Sequence, residues 1–184
     1  MKKRITGSGL SLFFFAAFNL AAFNFCHGEE ENLALEAMVS TGCQTVSGCH
    51  YPGYAVDGSI DKAKALWFGP CPCWFQVDLG EVKQINKIHI YPYWGDNRYY
   101  QYYLEASTDG REWKKVADAS RKTEPETEKG SIYEFAPVKA RFVRVTFTFN
   151  SASIANVENT FAHLVELQVF GVLNMDDHCK ETRK

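Results

Sequence analysis

The chain has 184 residues, with 20 Lys and Arg against 22 Asp and Glu, and 15% of its residues are aromatic. That length holds one domain with room for one sizeable core. The slightly acidic balance argues against a nucleic-acid partner, because phosphate binding needs a basic stripe and none is visible. Met1-Lys2-Lys3-Arg4, the apolar run from Leu10 to Phe25 and the small residues Cys26 and Gly28 before Glu29-Glu30-Glu31 read as a secretory signal peptide over residues 1–28. The run contains Asn19 and Asn24 and falls short of the roughly 20 apolar residues a spanning helix needs, with an uncleaved anchor as the alternative. Cleavage after Gly28 leaves 17 basic and 22 acidic residues, a net charge of −5, in a secreted protein.

From Asn32 onward the sequence is a string of short apolar-polar alternations with no amphipathic helical stretch of three turns. This predicts an all-β, antiparallel sandwich over 29–171 and a polar tail over 172–184. Leu33–Val39 is the first predicted strand. Residues 40–53 form a loop rich in Ser, Thr, Gly and Cys, and 57–73 form a second that opens on the Asp57-Gly58 turn. In Trp74–Gly80, Phe75, Val77 and Leu79 alternate with Trp74, Gln76 and Asp78, a period of two that sends one set inward. Ile85–Tyr91 repeats the rhythm, Tyr93–Asn97 is a loop, and Tyr99–Ser107 is the next strand. Asp109-Gly110 is a turn signal leading into Trp113. The polar Lys122–Gly130 reads as a solvated loop, followed by strands at Ile132–Phe135 and Phe142–Phe149. After a polar connection, Asn150–Phe161, the residues Val165, Leu167 and Val169 are expected to close the core.

Five stretches carry a family resemblance: Ala55-Val56-Asp57-Gly58, Trp74 to Gly80, Ser107 to Trp113, Ala140 to Val145, and His163 to Gly171. In that order, covering roughly residues 32–171, the chain resembles the discoidin family, also called coagulation factor 5/8 type C, which overlaps the galactose-binding-like carbohydrate-binding modules. The resemblance implies a jelly-roll sandwich that binds a ligand and leaves chemistry to other domains. It also implies a structural Ca²⁺ held by Asp57, Asp61 and Glu166 with loop carbonyls, since hard oxygen donors on a glycine-containing loop suit that ion. Arg141 and Arg144 match the family's flanking arginines and are read as structural ion-pair partners, while Trp67, Trp74 and Trp113 stand where the family places aromatics in or beside the core.

The residues themselves point to sugar recognition. Tyr93-Trp94-Gly95-Asp96-Asn97-Arg98 sets an aromatic platform beside a carboxylate, an amide and a guanidinium, and a sugar ring packs on the first while the others fix its hydroxyls. His50, Tyr51 and His163 are expected to face the same mouth, with Tyr93, Trp94, Asp96 and Arg98. No G-x-S-x-G or H-E-x-x-H pattern is present, and the histidines beyond the leader lie far apart, so no catalytic residues are assigned. Cys43, Cys49, Cys71, Cys73 and Cys179 are disulfide candidates in an oxidising compartment. Cys43 and Cys49 are the most natural local pair, and Cys71-Pro72-Cys73 is too tight to close on itself, so one of those two reaches another loop or Cys179. Zinc on the cysteines and His50 is the rival reading. The function expected is a secreted, non-catalytic lectin-like module for cell-surface or polysaccharide glycans, in contact with the cell surface or extracellular matrix. A protein- or anionic-lipid-binding module, with Leu66-Trp67-Phe68 as an apolar spike in a thin basic collar of Lys62 and Lys64, is the alternative, and a glycan-active enzyme a further one.

Overall fold

The computed structural model describes residues 30–43, 51–64, 66–155 and 160–171, with 66–68 described by backbone alone. The leader, Cys49, His50 and the tail with Cys179 lie outside these residues. Seven strands form: β1 (Met38–Thr41), β2 (Leu66–Pro70), β3 (Cys73–Pro92), β4 (Tyr100–Ser107), β5 (Lys114–Asp118), β6 (Ser131–Asn150) and β7 (Phe161–Gly171). Every pairing is antiparallel, in the order β2-β7-β3-β6-β4-β5, with β1 also on β3.

β3 and β6 are each 20 residues long and pair in two stretches, Cys73–Asp78 with Phe142–Phe147 and Lys83–Ile90 with Ser131–Ala140. Between the stretches the register breaks around Gly80, whose φ of 80° is open to a glycine at little cost. The leading half of β3 carries β1 and the trailing half carries β7, while the trailing half of β6 carries β4. One curled antiparallel sheet thus folds on itself into the jelly-roll sandwich. Two strand pairs expected separately are each one strand, and the chain departs from expectation before β1. Leu33–Glu36 is a turn rather than strand, with Glu36 at φ 56°. A 3₁₀ turn at Pro52–Val56 begins at the end of the expected first loop, and the segment expected as the second loop contains a 3₁₀ turn at Lys62–Lys64 and then β2.

Phe75, Val77, Ile88, Ile90, Tyr100, Tyr102, Leu104, Val143, Val145, Phe147, Leu164, Leu167 and Val169 are all fully buried between the layers. At ~1.5–3 kcal/mol for each large apolar side chain, this burial supplies the main drive for closure. On the outer face Arg141 makes a two-pronged ion pair with Asp78 at 2.8 and 2.9 Å, as expected. Among the described residues Arg144 does not form an ion pair with a carboxylate, against expectation. Its guanidinium lies between the rings of Trp74 and Trp113, 4.5 and 3.8 Å from their centroids, and donates to Gln76 Oε1 at 2.8 Å. Cation–π attraction takes the place of the ion pair there.

Cys43 is bonded to Cys73, with 6.1 Å between the Cα atoms, so the expected Cys43–Cys49 pair does not form. β1 sets this outcome: Thr41 pairs with Phe75, which carries Cys43 to the start of β3. Cys71 is a half-buried free thiol, pushed up to about 12 by burial. Linking residues 30 apart in sequence, the disulfide should contribute roughly 3–4 kcal/mol. Cys43→Ala and Cys73→Ala are each expected to lose that much in chemical denaturation, and the double variant no more than either. Additive losses would show that the two thiols act independently.

Candidate functional site

A β-bulge in β7 shapes the region. Tyr91 pairs with Glu166 and Pro92 with Leu164, which leaves Val165 as an extra residue. Val165 therefore leaves the main core, against expectation, and packs with Tyr91 and Trp94 in a small separate cluster. The next residue, Glu166, is fully buried beneath the loop that follows the first 3₁₀ turn.

Gly58 donates its N–H to Glu166 Oε1 at 3.1 Å, while Oε2 is buried without a well-formed hydrogen bond, with Gln168 and the Asp57 backbone nearby. Burial, together with the Asp57 charge, pushes the Glu166 carboxyl up to about 8, opposed by the bond from Gly58. Asp57 Oδ1 accepts the Ser59 N–H at 2.8 Å and Oδ2 faces Lys64 Nζ at 3.5 Å. Asp61 instead accepts the Ala63 N–H at 2.9 Å and lines a neighbouring cleft. Among the described residues no three acidic, histidine or cysteine side chains gather as metal ligands. The fit is narrower than the expected set: a buried carboxylate oxygen in need of a partner stands beside a second carboxylate, and a hard cation with loop carbonyls would satisfy both.

The 93–98 loop turns at Gly95 and Asn97, with φ of 106° and 62°. It delivers Tyr93, Asp96 and Arg98 to His163 on β7. Arg98 Nε donates to both Asp96 oxygens at 2.8 Å, and its Nη1 donates to His163 Nδ1 at 2.9 Å. Tyr100 donates its hydroxyl to the same Nδ1 at 2.7 Å, which places the imidazole proton on Nε2. Tyr93 stacks its ring under the guanidinium at 5.0 Å and meets His163 edge-on at 5.9 Å. His163 is only 2% exposed and is held down at about 3 by burial and by the Arg98 cation, so it is neutral. Burial works against the charge of Arg98, but Asp96 keeps it ionised.

Trp94 stands apart from this network. Half-buried against Val165 and Tyr91, it lines an open cleft of about 690 Å³ with Ser59, Ile60, Asp61, Lys62 and Glu128. Its Nε1 is buried without a partner, and Lys62 Nζ sits 4.5 Å from the ring centroid. Tyr51 is 71% exposed and lines a second cleft, about 470 Å³, with Glu36, Met38, Tyr54 and Asp57. Four of the expected ligand residues, Tyr93, Asp96, Arg98 and His163, therefore converge, while Trp94 and Tyr51 line separate clefts joined by the 57–64 segment. Tyr54, Glu36 and Glu128 were not singled out in the sequence, and Lys62 stood out only with Lys64 as a thin basic collar beside Leu66-Trp67-Phe68. The closely spaced lysines of Lys62-Ala63-Lys64 beside aromatic loops were the one available signal.

The F5/8 type C domain model matches residues 40–166. A comparison with curated proteins returned no match. Among solved structures, chitosan-binding module 2 with chitotriose, from a Paenibacillus sp. IK-5 chitosanase/glucanase, is 24% identical with a TM-score of 0.60, over 76% of this chain and 100% of that one. The CBM32 of AlyQ in complex with 4,5-unsaturated mannuronic acid is 20% identical with a TM-score of 0.59, over 79% and 100%. A family 89 glycoside hydrolase from Clostridium perfringens is 22% identical with a TM-score of 0.61, over 76% of this chain but only 14% of the enzyme. At these identities the likeness shows the fold.

The two shifted groups pull stability in opposite directions. Glu166, raised from 4.5 to about 8, stabilises the metal-free fold below about pH 4.5 and loses that contribution as pH rises through about 8. His163, lowered from 6.5 to about 3, contributes above about pH 6.5 and loses it as pH falls toward 3. The metal-free melting temperature should therefore fall between pH 6.5 and 8, and Glu166→Gln should flatten that fall. A melting temperature that climbs over this interval would refute the assignment.

Proposed function

This chain belongs to the F5/8 type C domain family, and from that premise we propose that it is a secreted, non-catalytic carbohydrate-binding module for cell-surface or polysaccharide glycans. The observation that carries the reading is the Trp94 cleft. Trp94, Ser59, Asp61 and Glu128 line one open concavity. A pyranose ring stacks its C–H face on such an indole while hydroxyls satisfy the polar rim. Similar folds whose structures are described with chitotriose or an unsaturated mannuronic acid support a glycan as the ligand class. The Arg98–His163 network holds the loop, and Ca²⁺ on Asp57 and Glu166 would pin its neighbour without touching the sugar.

Glycan-array and liposome binding measured side by side test this reading. Array hits without liposome binding are expected, whereas liposome binding with an empty array would sink it in favour of the lipid alternative. Trp94→Ala should weaken glycan binding by more than about tenfold and, since the ring is only half-buried, cost about 1–3 kcal/mol of stability. Unchanged binding by a folded Trp94→Ala protein would remove this cleft from the site.

Calcium at a hundredfold excess over Kd should add ~2.7 kcal/mol to stability, raising the melting temperature at pH 7.5. Asp57→Ala should abolish that response. Identical melting curves in calcium and in chelator would count against the cation.

A further inference from the structure

The Tyr51 cleft lies apart from the Trp94 site and is built on a strand edge. Glu36, Ala37, Met38 and Val39 line it in succession, with Tyr51 and Tyr54 also on its wall. An extended chain sends neighbouring side chains to opposite faces, so a cleft that touches each of these residues follows the edge of the chain. That edge is open, because β1 pairs with β3 alone. The ladder continues to Gly42, whose N–H donates to Trp74 O at 2.9 Å, and the alternation of an antiparallel pair then turns the N–H and C=O of Val39 and Thr41 away from β3. Among the described residues no backbone bond takes up those outward groups. The cleft is also preformed. Glu36 sits at φ 56° and donates its N–H to Val56 O at 2.8 Å, which ties the start of β1 to the Pro52–Val56 turn.

We infer that this edge is a docking site for a partner protein, which adds to β1 an extended segment with an apolar centre and flanking Lys or Arg. The outward groups of Val39 and Thr41 supply main-chain bonds to any extended chain, and the cleft walls select its side chains. Met38 is 76% exposed and Tyr51 71%, so together with Tyr54 they offer apolar surface that an apolar side chain would cover. Charge selects the flanks. Glu36 makes no ion pair among the described residues, and the second carboxylate of the cleft, Asp57, has only Lys64 at 3.5 Å. Basic residues beside the apolar centre would meet these carboxylates favourably, whereas an anionic lipid surface would meet them with like charge. A second copy of this chain, with 22 acidic residues against 20 basic ones, brings no such complement. The inference does not depend on the glycan reading, since it uses none of the residues of the Trp94 cleft.

Fluorescence anisotropy with synthetic heptapeptides tests this: Lys-Lys-Val-Phe-Val-Lys-Lys, its counterpart with Glu in place of every Lys, and the lysine peptide N-methylated at its central Val-Phe-Val. The lysine peptide is expected to bind at least about tenfold tighter than either. Val39→Pro deletes an outward N–H and leaves the bonds to β3 in place, as prolines on edge strands do, so it should abolish peptide binding in a protein that still melts cooperatively. If that variant does not fold, the N-methylated peptide decides the same point on the unaltered chain. Glu36→Gln should weaken the lysine peptide by about threefold, and Trp94→Ala should leave it unchanged, which keeps this result separate from that of the glycan array. No binding of the lysine peptide, equal binding of the glutamate or N-methylated peptide, or full binding by Val39→Pro overturns the proposal. Dimers in sedimentation that Val39→Pro dissolves would give the edge to a second copy, and binding to phosphatidylserine vesicles that Tyr51→Ala removes would give the cleft to a membrane; either result overturns it as well.

Discussion

The pairing of β3 with β6 is the constraint from which the rest follows. Two strands of 20 residues, matched on both sides of a break at Gly80, bend together and so commit both layers of the sandwich at once. Wherever they end, loops are delivered. The end of β3 releases Tyr93–Arg98, and the end of β6 releases Ser151, which takes up the backbone of Tyr99 through bonds of 2.9 and 3.0 Å. The start of β3 is fixed to the loop after β1 by the Cys43–Cys73 bond. The loops are held at one end of the sandwich by backbone pairing, before any side chain of the candidate site takes part.

Within that end, side-chain hydrogen bonds build the framework that holds the loops. Arg98, Asp96, Tyr100 and His163 use their polar atoms on one another, and a closed network of this kind rigidifies a loop but offers little to a ligand. The buried Lys122–Glu126 pair at 2.6 Å, with Ser131 accepting from Lys122 at 3.1 Å, plays the same part for the 119–130 crossing, which brings Glu128 to the Trp94 cleft. Among the described residues, buried polar atoms without a partner include Trp94 Nε1, Glu166 Oε2, Glu126 Oε1 and Arg144 Nε. Each such atom costs free energy, and Glu166 Oε2, beside Asp57, is the one whose surroundings suit a cation.

Much of the fold was legible because a two-residue period records which face of a strand is buried. Phe75, Val77, Val143, Val145 and Phe147 sit where that period puts them. It could not show that Trp74–Gly80 and Ile85–Tyr91 are one strand, since a glycine at positive φ reads equally as an end or a bend. The bulge at Val165 was equally hidden: an inserted residue leaves an apolar run looking unbroken, yet it moves Val165 to the outer cluster and Glu166 under Gly58. At the site, the Tyr93–Arg98 composition marked the right loop. It could not divide Arg98, turned inward, from Trp94, turned to the cleft, because that division depends on β7 beneath the loop. Lys62 read only as part of a basic collar because its partner is a ring 32 positions away rather than a nearby carboxylate.

The bulge also explains why one short segment serves two purposes. By placing Val165 under Trp94 and Glu166 under Gly58, the same extra residue supports the floor of the cleft and anchors the loop that forms its wall. Asp57 stands at the junction, within reach of Lys64 on one side and close enough to Glu166 to raise its carboxyl on the other. Its carboxylate answers to one neighbouring positive charge at a time. A cation held with Glu166 would draw Asp57 away from Lys64, leaving that lysine to the Tyr54 ring, whereas without one the lysine stays paired. On the proposed cation site, occupancy of the buried carboxylate pair and the pairing of Lys64 would be linked through this single side chain, and the link would be reciprocal.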